Sequence, residues 1–196
     1  MSVSSVVVQK PDEYIAARDA LLTELHKVTI PKIPRSHVAK DGTVIGQRDR
    51  LIGTIGRTTN YGWGRTRAGY KDYVNNKKHP ELFAALVRFG NLAVPSGWTY
   101  QSITLNHGVQ AKKHIDIQNN GDSVIVGIGN YIGGELNVYD ISGIEFVSHD
   151  IHDKPLMFNG AIYPHETKPF EGERYTMIFF KQKRAGTVEG FEMRGV

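Results

Sequence analysis

The 196-residue chain contains no cysteine. Disulfides, thiolate zinc sites, iron–sulfur clusters and a cysteine nucleophile are therefore excluded, and a cytoplasmic or nuclear location is the default expectation. Proline is scarce, at eight residues, and the 21 glycines follow no fixed period, so neither a proline-rich stalk nor a collagen-like rod is expected. No apolar run approaches the ~18–20 residues that a membrane-spanning helix requires. The opening MSVSSVVVQKPDEY has neither the basic n-region nor the apolar length of a signal peptide. Acidic residues are slightly outnumbered, 20 Asp or Glu against 24 Lys or Arg, which gives a net charge of +4 and a pI near 9.2. Such mild basicity is compatible with an anionic partner without demanding one.

What is present describes one folded domain. Hydrophobic residues make up 40% of the chain and charged residues 22%, and no internal repeat is visible. A helix is predicted over Pro11–Lys27, where proline opens the first turn, Asp12 and Glu13 follow it, and Ile15, Ala16, Leu21, Leu22 and Leu25 give an amphipathic pattern. A second is predicted from Pro80 to about Phe89. Between them the chain turns basic, with ten Lys or Arg against three Asp over residues 35–78, interleaved with Tyr61, Trp63, Tyr70 and Tyr73. After Asn91 the pattern becomes β: WTYQSITL, SVIVGIG, GELNVYD, IEFVSH, LMFNGAIY and RYTMIFF are separated by turn signals such as NNGD, SG and DKP. Many short strands with turns between them predict a sandwich or barrel. The expected organisation is a single domain over 1–196. Helices and a basic loop (1–90) decorate a β-scaffold (91–182), and a short tail (183–196) follows.

One ordered set of residues carries chemistry. In KKHIDIQN, His114 and Asp116 are two residues apart and would share a face if the segment is extended. A third ligand is offered by His165 in FNGAIYPHETKPF, and two His with one carboxylate is the facial triad of non-haem Fe(II) oxygenases. Nine residues further, Arg174 and Thr176 share one face of a predicted strand, opposite Tyr175 and Met177. A guanidinium beside a hydroxyl suits capture of a carboxylate-bearing co-substrate. A His-x-Asp pair alone is worth little in a chain with eight His; the order His-x-Asp, distal His, Arg is what carries weight.

That order resembles the 2-oxoglutarate- and Fe(II)-dependent dioxygenases, whose core is a double-stranded β-helix of jelly-roll type. HIDIQNNGDS is similar to the TET/JBP branch, which oxidises the methyl group of 5-methylpyrimidines in DNA; His114, Asp116, Asn119 and Ser123 fill the places of its His-x-Asp-x-x-Asn core and following small polar residue. SVIVGIGNYIGGELNVYD and FNGAIYPHETKPFEGERYTMIFF resemble TET/JBP-like proteins of algae, their viruses and phages, so the resemblance covers about residues 85–182. It implies a β-rich α+β fold with a jelly-roll core and the N-terminal helices packed outside. It also implies Fe(II) on His114, Asp116 and His165, with 2-oxoglutarate and O2 as co-substrates and ascorbate as a candidate reductant. Arg174 would grip 2-oxoglutarate with help from Thr176, and Asn106 would touch the co-substrate or support the ligands. Asn119 would sit at the base pocket, while Gln118 stands where the animal TET proteins carry a second His. With no cysteine-rich segment, DNA contact falls to residues 47–78, with Arg57, Trp63, Arg65 and Arg67 as first choices.

The remaining polar residues read more plainly. HDIHD (His149–Asp153) is expected to be a solvated turn, and His107 a strand-end polar residue near the site. Gly127, Gly129 and the Gly133–Gly134 pair lack the spacing of a phosphate loop and read as tight turns and strand crossings. The rival readings are a protein side-chain hydroxylase on the same core, a cupin-like metal protein without 2-oxoglutarate, and a non-catalytic nucleic-acid-binding jelly roll.

Overall fold

Alternation of large apolar and small polar residues along the strands sets the architecture. In a computed structural model, the described residues are 3–32, 55–66, 69–183 and 193–196. Helix α1 is Pro11–Leu25, followed by β2 (Ile55–Thr66), β3 (Gly69–Asp72), the short α2 (Val74–Lys78) and α3 (Pro80–Ala93). The β-rich half supplies β4 (Thr99–Tyr100), β5 (Ser102–Gln110), β6 (Ser123–Gly133), β7 (Leu136–Tyr139), β8 (Phe146–His149), β9 (Leu156–Phe158), β10 (His165–Thr167) and β11 (Phe170–Phe180). Two further strands lie near the ends, β1 (Val3–Ser5) and β12 (Met193–Arg194).

Seven strands form an antiparallel major sheet in the order β1-β9-β6-β11-β5-β2-β3, and three form a minor sheet, β10-β7-β8. This is the expected jelly roll, two sheets with their inner faces opposed. Tyr61, Ile103, Leu105, Val126, Met177 and Phe179 point to one side of the major sheet, where Leu21 and Leu25 of α1 and Leu82, Leu86 and Phe89 of α3 close the main core. Ile125 and Ile178 point to the other side and join Leu136, Val138, Ile151, Leu156 and Phe158 in a smaller core between the sheets. The remainder of that inner face is polar and is where the site lies.

Several expectations shift. Residue 91 is no architectural seam: β2, from the supposed decoration, pairs with β5 along seven positions inside the major sheet, and β1 pairs with β9. Nor does the C-terminal segment hang free, because β12 pairs with β4 and buries Met193. The HDIHD stretch is docked rather than solvated. Ile151 is buried, His152 Nε2 lies 3.0 Å from the Gly129 carbonyl, and Asp153 pairs with Arg18 at 2.9 Å. Of the glycines, Gly133 and Gly134 do make a turn at positive φ, whereas Gly127 lies within β6, where a Cβ would overlap the Tyr131 hydroxyl. No helix among the described residues is long and apolar enough to cross a membrane.

Candidate active site

The segment carrying His114 and Asp116 is not the regular strand its sequence suggests. His114 makes a single antiparallel bridge to His165, with N–H to carbonyl bonds of 3.0 and 2.9 Å in the two directions, so the two histidines stand directly opposite one another at the edge of the minor sheet. Beyond it the chain turns: Asp116 N–H donates to the Gly160 carbonyl (2.7 Å), and Asn119 N–H donates back to the Asp116 carbonyl (2.8 Å). The extended stretch therefore lasts only long enough to bring residues 114 and 116 to one place.

Their donor atoms meet with that of His165. Asp116 Oδ1 is 4.0 Å from His114 Nε2, Asp116 Oδ2 is 3.7 Å from His165 Nε2, and ligand atoms of all three residues lie within 4.8 Å of one another. Each histidine turns its other ring nitrogen onto a backbone carbonyl: His114 Nδ1 to Lys112 (2.6 Å) and His165 Nδ1 to Tyr163 (3.1 Å). A carbonyl can only accept, so Nδ1 carries the proton and each Nε2 lone pair faces the shared centre. His165 is buried, with Phe158 edge-on to its ring and Gly160 leaving room beside it. Two imidazoles and one carboxylate arranged this way fit a divalent first-row metal with its opposite side open.

Arg174 is the second unusual group. It is 2% exposed, yet no carboxylate among the described residues pairs with it. Its Nη atoms donate to the carbonyls of Val109 (3.3 Å) and Gly134 (2.9 Å), and its Nε has no partner among the described residues. Burial lowers its pKa, partly offset by Tyr131, but an arginine stays cationic at neutral pH. A buried cation without an anion is costly, and a bound carboxylate would satisfy it. Thr176 is on the same face, and its hydroxyl accepts from Asn106 Nδ2 (3.2 Å), leaving its own proton to donate. Tyr131, which the sequence did not single out, faces the guanidinium. Its hydroxyl is buried over Gly127, which pairs with Thr176, and forms no close hydrogen bond among the described residues. Burial pushes its pKa up to about 12, with Arg174 acting against the shift. Arg174, Thr176, Asn106 and Tyr131 thus fit a dicarboxylate co-substrate.

A cavity of about 420 Å³ extends from His114 and Asp116 along the inner face of the major sheet. Neighbouring strands deliver its floor in register, Thr58–Asn106 in one row and Asn60–Thr104–Ile178 in the next. Tyr73, Phe180 and Gln182 line it beyond these rows, and Gln118 and Asn119 line it from the turn after Asp116. Asn119 is 4% exposed and donates to Ser123 Oγ (3.2 Å), the pair named from the sequence. Apart from His114 and Asp116, every described side chain lining the cavity is uncharged.

The basic-loop candidates divide. Arg57 lies on the helix-facing side, level with His107 and Tyr175, and donates to the Ile30 carbonyl (2.7 Å). Trp63 packs against the main core. Neither reaches the cavity. Arg65 is on β2 opposite Tyr70, but its side chain, like Arg67 and residues 47–54, falls outside the described residues. His107 is likewise on the helix side, stacked on Tyr175 at 4.3 Å, rather than beside His114, Asp116 and His165. The sequence missed Thr58, Asn60 and Thr104 because only the β2–β5 pairing shows which of their strand faces turns inward.

No protein-family model matches the sequence, and no curated protein matches it. Solved structures do. A prolyl hydroxylase in complex with a hypoxia-inducible-factor oxygen-degradation-domain peptide, from Trichoplax adhaerens, is similar at 16% identity over 91% of this chain and 82% of that one, with a TM-score of 0.51. An oxidoreductase of the 2OG-Fe(II) oxygenase family from Burkholderia pseudomallei gives 15%, 94% and 88%, also with a TM-score of 0.51. The fold is that of the 2-oxoglutarate–Fe(II) oxygenases. OsALKBH1 matches equally well, at 11% identity over 92% of this chain and 96% of its own with a TM-score of 0.51. A peptide-bound hydroxylase and OsALKBH1 match this chain to the same degree, so the likeness carries the fold and not the substrate.

Proposed function

We propose that the protein is an Fe(II)- and 2-oxoglutarate-dependent dioxygenase of TET/JBP-like type that oxidises a nucleic-acid base, the methyl group of 5-methylcytosine or thymine in DNA. His114, Asp116 and His165 hold the metal; Arg174, Thr176, Asn106 and Tyr131 hold the co-substrate. Once bound, Fe(II) with 2-oxoglutarate and O2 supplies the oxidising power for C–H hydroxylation. The chain's own part is to fix the two imidazole tautomers, neutralise the co-substrate carboxylate in a buried corner, and hold the reacting methyl group close to the open side of the metal.

The cavity carries the choice of substrate. A peptide side chain such as proline is apolar and asks little of its pocket. Here the amides of Asn60, Asn106, Gln118 and Asn119 and the hydroxyls of Thr58, Thr104 and Tyr73 surround a neutral space with Phe180 as its aromatic wall. Mixed donors and acceptors without charge suit the edges of a pyrimidine, and an aromatic wall suits its face. Exposed lysines lie close in sequence to residues that line the cavity: Lys71, Lys77 and Lys78 around Tyr73, and Lys112 two residues before His114. These can track phosphates once a base has left the stack.

The test is nucleoside mass spectrometry on DNA containing 5-methylcytosine or thymine, after incubation with protein, Fe(II) and 2-oxoglutarate. The expected product is one oxygen heavier than its parent and depends on all three. Succinate release with intact nucleosides would reject the base and return the protein-hydroxylase reading.

A further inference from the structure

We propose that Tyr73 is the hydrogen-bond donor that orients the substrate base at the end of the cavity away from the metal. The assignment rests on the base-oxidising reading and adds a residue from the N-terminal half, remote in sequence from every ligand.

The two ends of the cavity differ in what occupies them. Along β11, Arg174, Thr176, Ile178 and Phe180 point inward in succession, and residues two apart in a strand are separated by roughly 7 Å. Arg174 and Thr176 lie behind the end lined by Val109 and Asn106, to which they are hydrogen-bonded, so Phe180 and its neighbours Tyr73 and Gln182 border the space left for substrate.

Tyr73 is seated there by three independent contacts. Its ring lies over Gly64, where a Cβ would come within 2.7 Å of the ring carbons. Its backbone N–H donates to the Gly62 carbonyl (3.1 Å), and Asn76, one turn on, takes the other lone pair of that carbonyl and the Gly62 N–H at 2.6 and 2.9 Å. Its hydroxyl accepts from Gln182 Nε2 (3.1 Å), and Gln182 is itself steadied by donation to Ser102 Oγ (2.9 Å). The phenol oxygen is thus positioned as an acceptor, while its own proton meets no acceptor among the described residues. A half-buried, immobilised O–H donor bordering a cavity is matched by an exocyclic carbonyl of a pyrimidine, an acceptor present on both cytosine and thymine.

The experiment compares Tyr73→Phe with wild type, both loaded with Mn(II) and 2-oxoglutarate without O2. Binding is read by fluorescence anisotropy for an oligonucleotide carrying one 5-methylcytosine and for the same oligonucleotide with an abasic site there. Wild type should prefer the methylcytosine oligonucleotide. The variant, which keeps the ring on Gly64, should lose about three- to tenfold of that preference, the worth of one neutral hydrogen bond. Affinities for the abasic oligonucleotide and for 2-oxoglutarate should not move. Gly64→Ala, which keeps the phenol but displaces its ring, should lose at least as much preference. A Tyr73→Phe variant that retains the full preference, or weakens both oligonucleotides equally, overturns the assignment. Absence of any preference in wild type overturns the base reading first and this assignment with it, so the two failures are told apart.

Discussion

The two faces of the major sheet are built from alternate residues of the same strands and have opposite characters. On β11, Tyr175, Met177 and Phe179 enter the helix-covered core, while Arg174 and Thr176 enter the site. On β5, Ile103 and Leu105 face the helices, while Thr104 and Asn106 line the cavity. One face is mainly apolar and filled by α1 and α3, with Arg57 and His107 at its margin and the Tyr61 hydroxyl as a buried polar exception. The other keeps a buried cation, a buried phenol and a row of amides and hydroxyls, with two of those buried polar atoms lacking a close hydrogen bond among the described residues. Folding stability is gained on the helix side and spent on the site side, the expected signature of a face shaped for a ligand. Because the period is two, a one-residue slip of β11 would exchange Arg174 and Met177 between the faces, which fixes the register strongly.

Substitutions on the two faces should separate activity from stability. The largest effect belongs to the metal corner: Asp116→Ala or His114→Ala should abolish turnover while thermal melting stays close to wild type. A large loss of stability there would make the triad structural. On the opposite face, Leu105→Ala, at a fully buried position, should cost about 2–5 kcal/mol in chemical denaturation. The part that remains folded should keep its 2-oxoglutarate affinity. Arg174→Gln should weaken 2-oxoglutarate by roughly ten- to a hundredfold, as loss of charged hydrogen bonds does, without a matching loss of stability, since no carboxylate among the described residues pairs with the guanidinium. Calorimetric titration and melting read both. If melting falls and affinity holds, Arg174 is a strut rather than a clamp.

The smallest effect concerns pH. His107, on the helix side beside Glu173, Arg57 and His26, has its pKa lowered from 6.5, first by burial. The folded chain then binds this proton less readily than the unfolded one, so the contribution is complete above pH 6.5 and is lost as pH falls below it. His149, also lowered by burial, acts in the same direction. Glu173 is held below 4.5, first by the hydrogen bond with His26; its contribution is present above that value and lost at still lower pH. Melting temperature should decline on acidification from pH 7, and His107→Phe, which preserves the stack on Tyr175, should make the first part of the decline shallower. An unchanged slope would remove His107 from the account.

Much of this was legible in advance, and the exceptions share one cause. The turn-punctuated Val- and Ile-rich runs pointed to a sandwich or barrel, the family resemblance narrowed it to a jelly roll, and His114, Asp116, His165 and Arg174 were picked out by residue type and order along the chain. Local signals of that kind survive without knowledge of pairing. Hidden from the sequence were features made by long-range register: the entry of β2 into the major sheet, and with it the placement of Thr58 and Asn60 in the cavity and of Arg57 behind it. Trp63 was a first choice for DNA contact, but Gly64 lets Tyr73 take the cavity side while Trp63 turns into the core. Tyr131 could not be found from its neighbours, because its hydroxyl is brought to the site only by the absence of a side chain at Gly127. HDIHD misled in the other direction, its polar composition concealing the burial of Ile151.

The central claim is that His114, Asp116 and His165 hold Fe(II) with 2-oxoglutarate chelated beside Arg174. Visible absorption of the anaerobic protein tests it most directly, because a charge-transfer band requires metal and keto acid to be bound together. The account predicts a band that appears only when Fe(II) and 2-oxoglutarate are both added, vanishes in Asp116→Ala, and needs a higher 2-oxoglutarate concentration in Arg174→Gln. A folded wild-type protein that develops no band, or an Asp116→Ala variant that develops the same one, would contradict it.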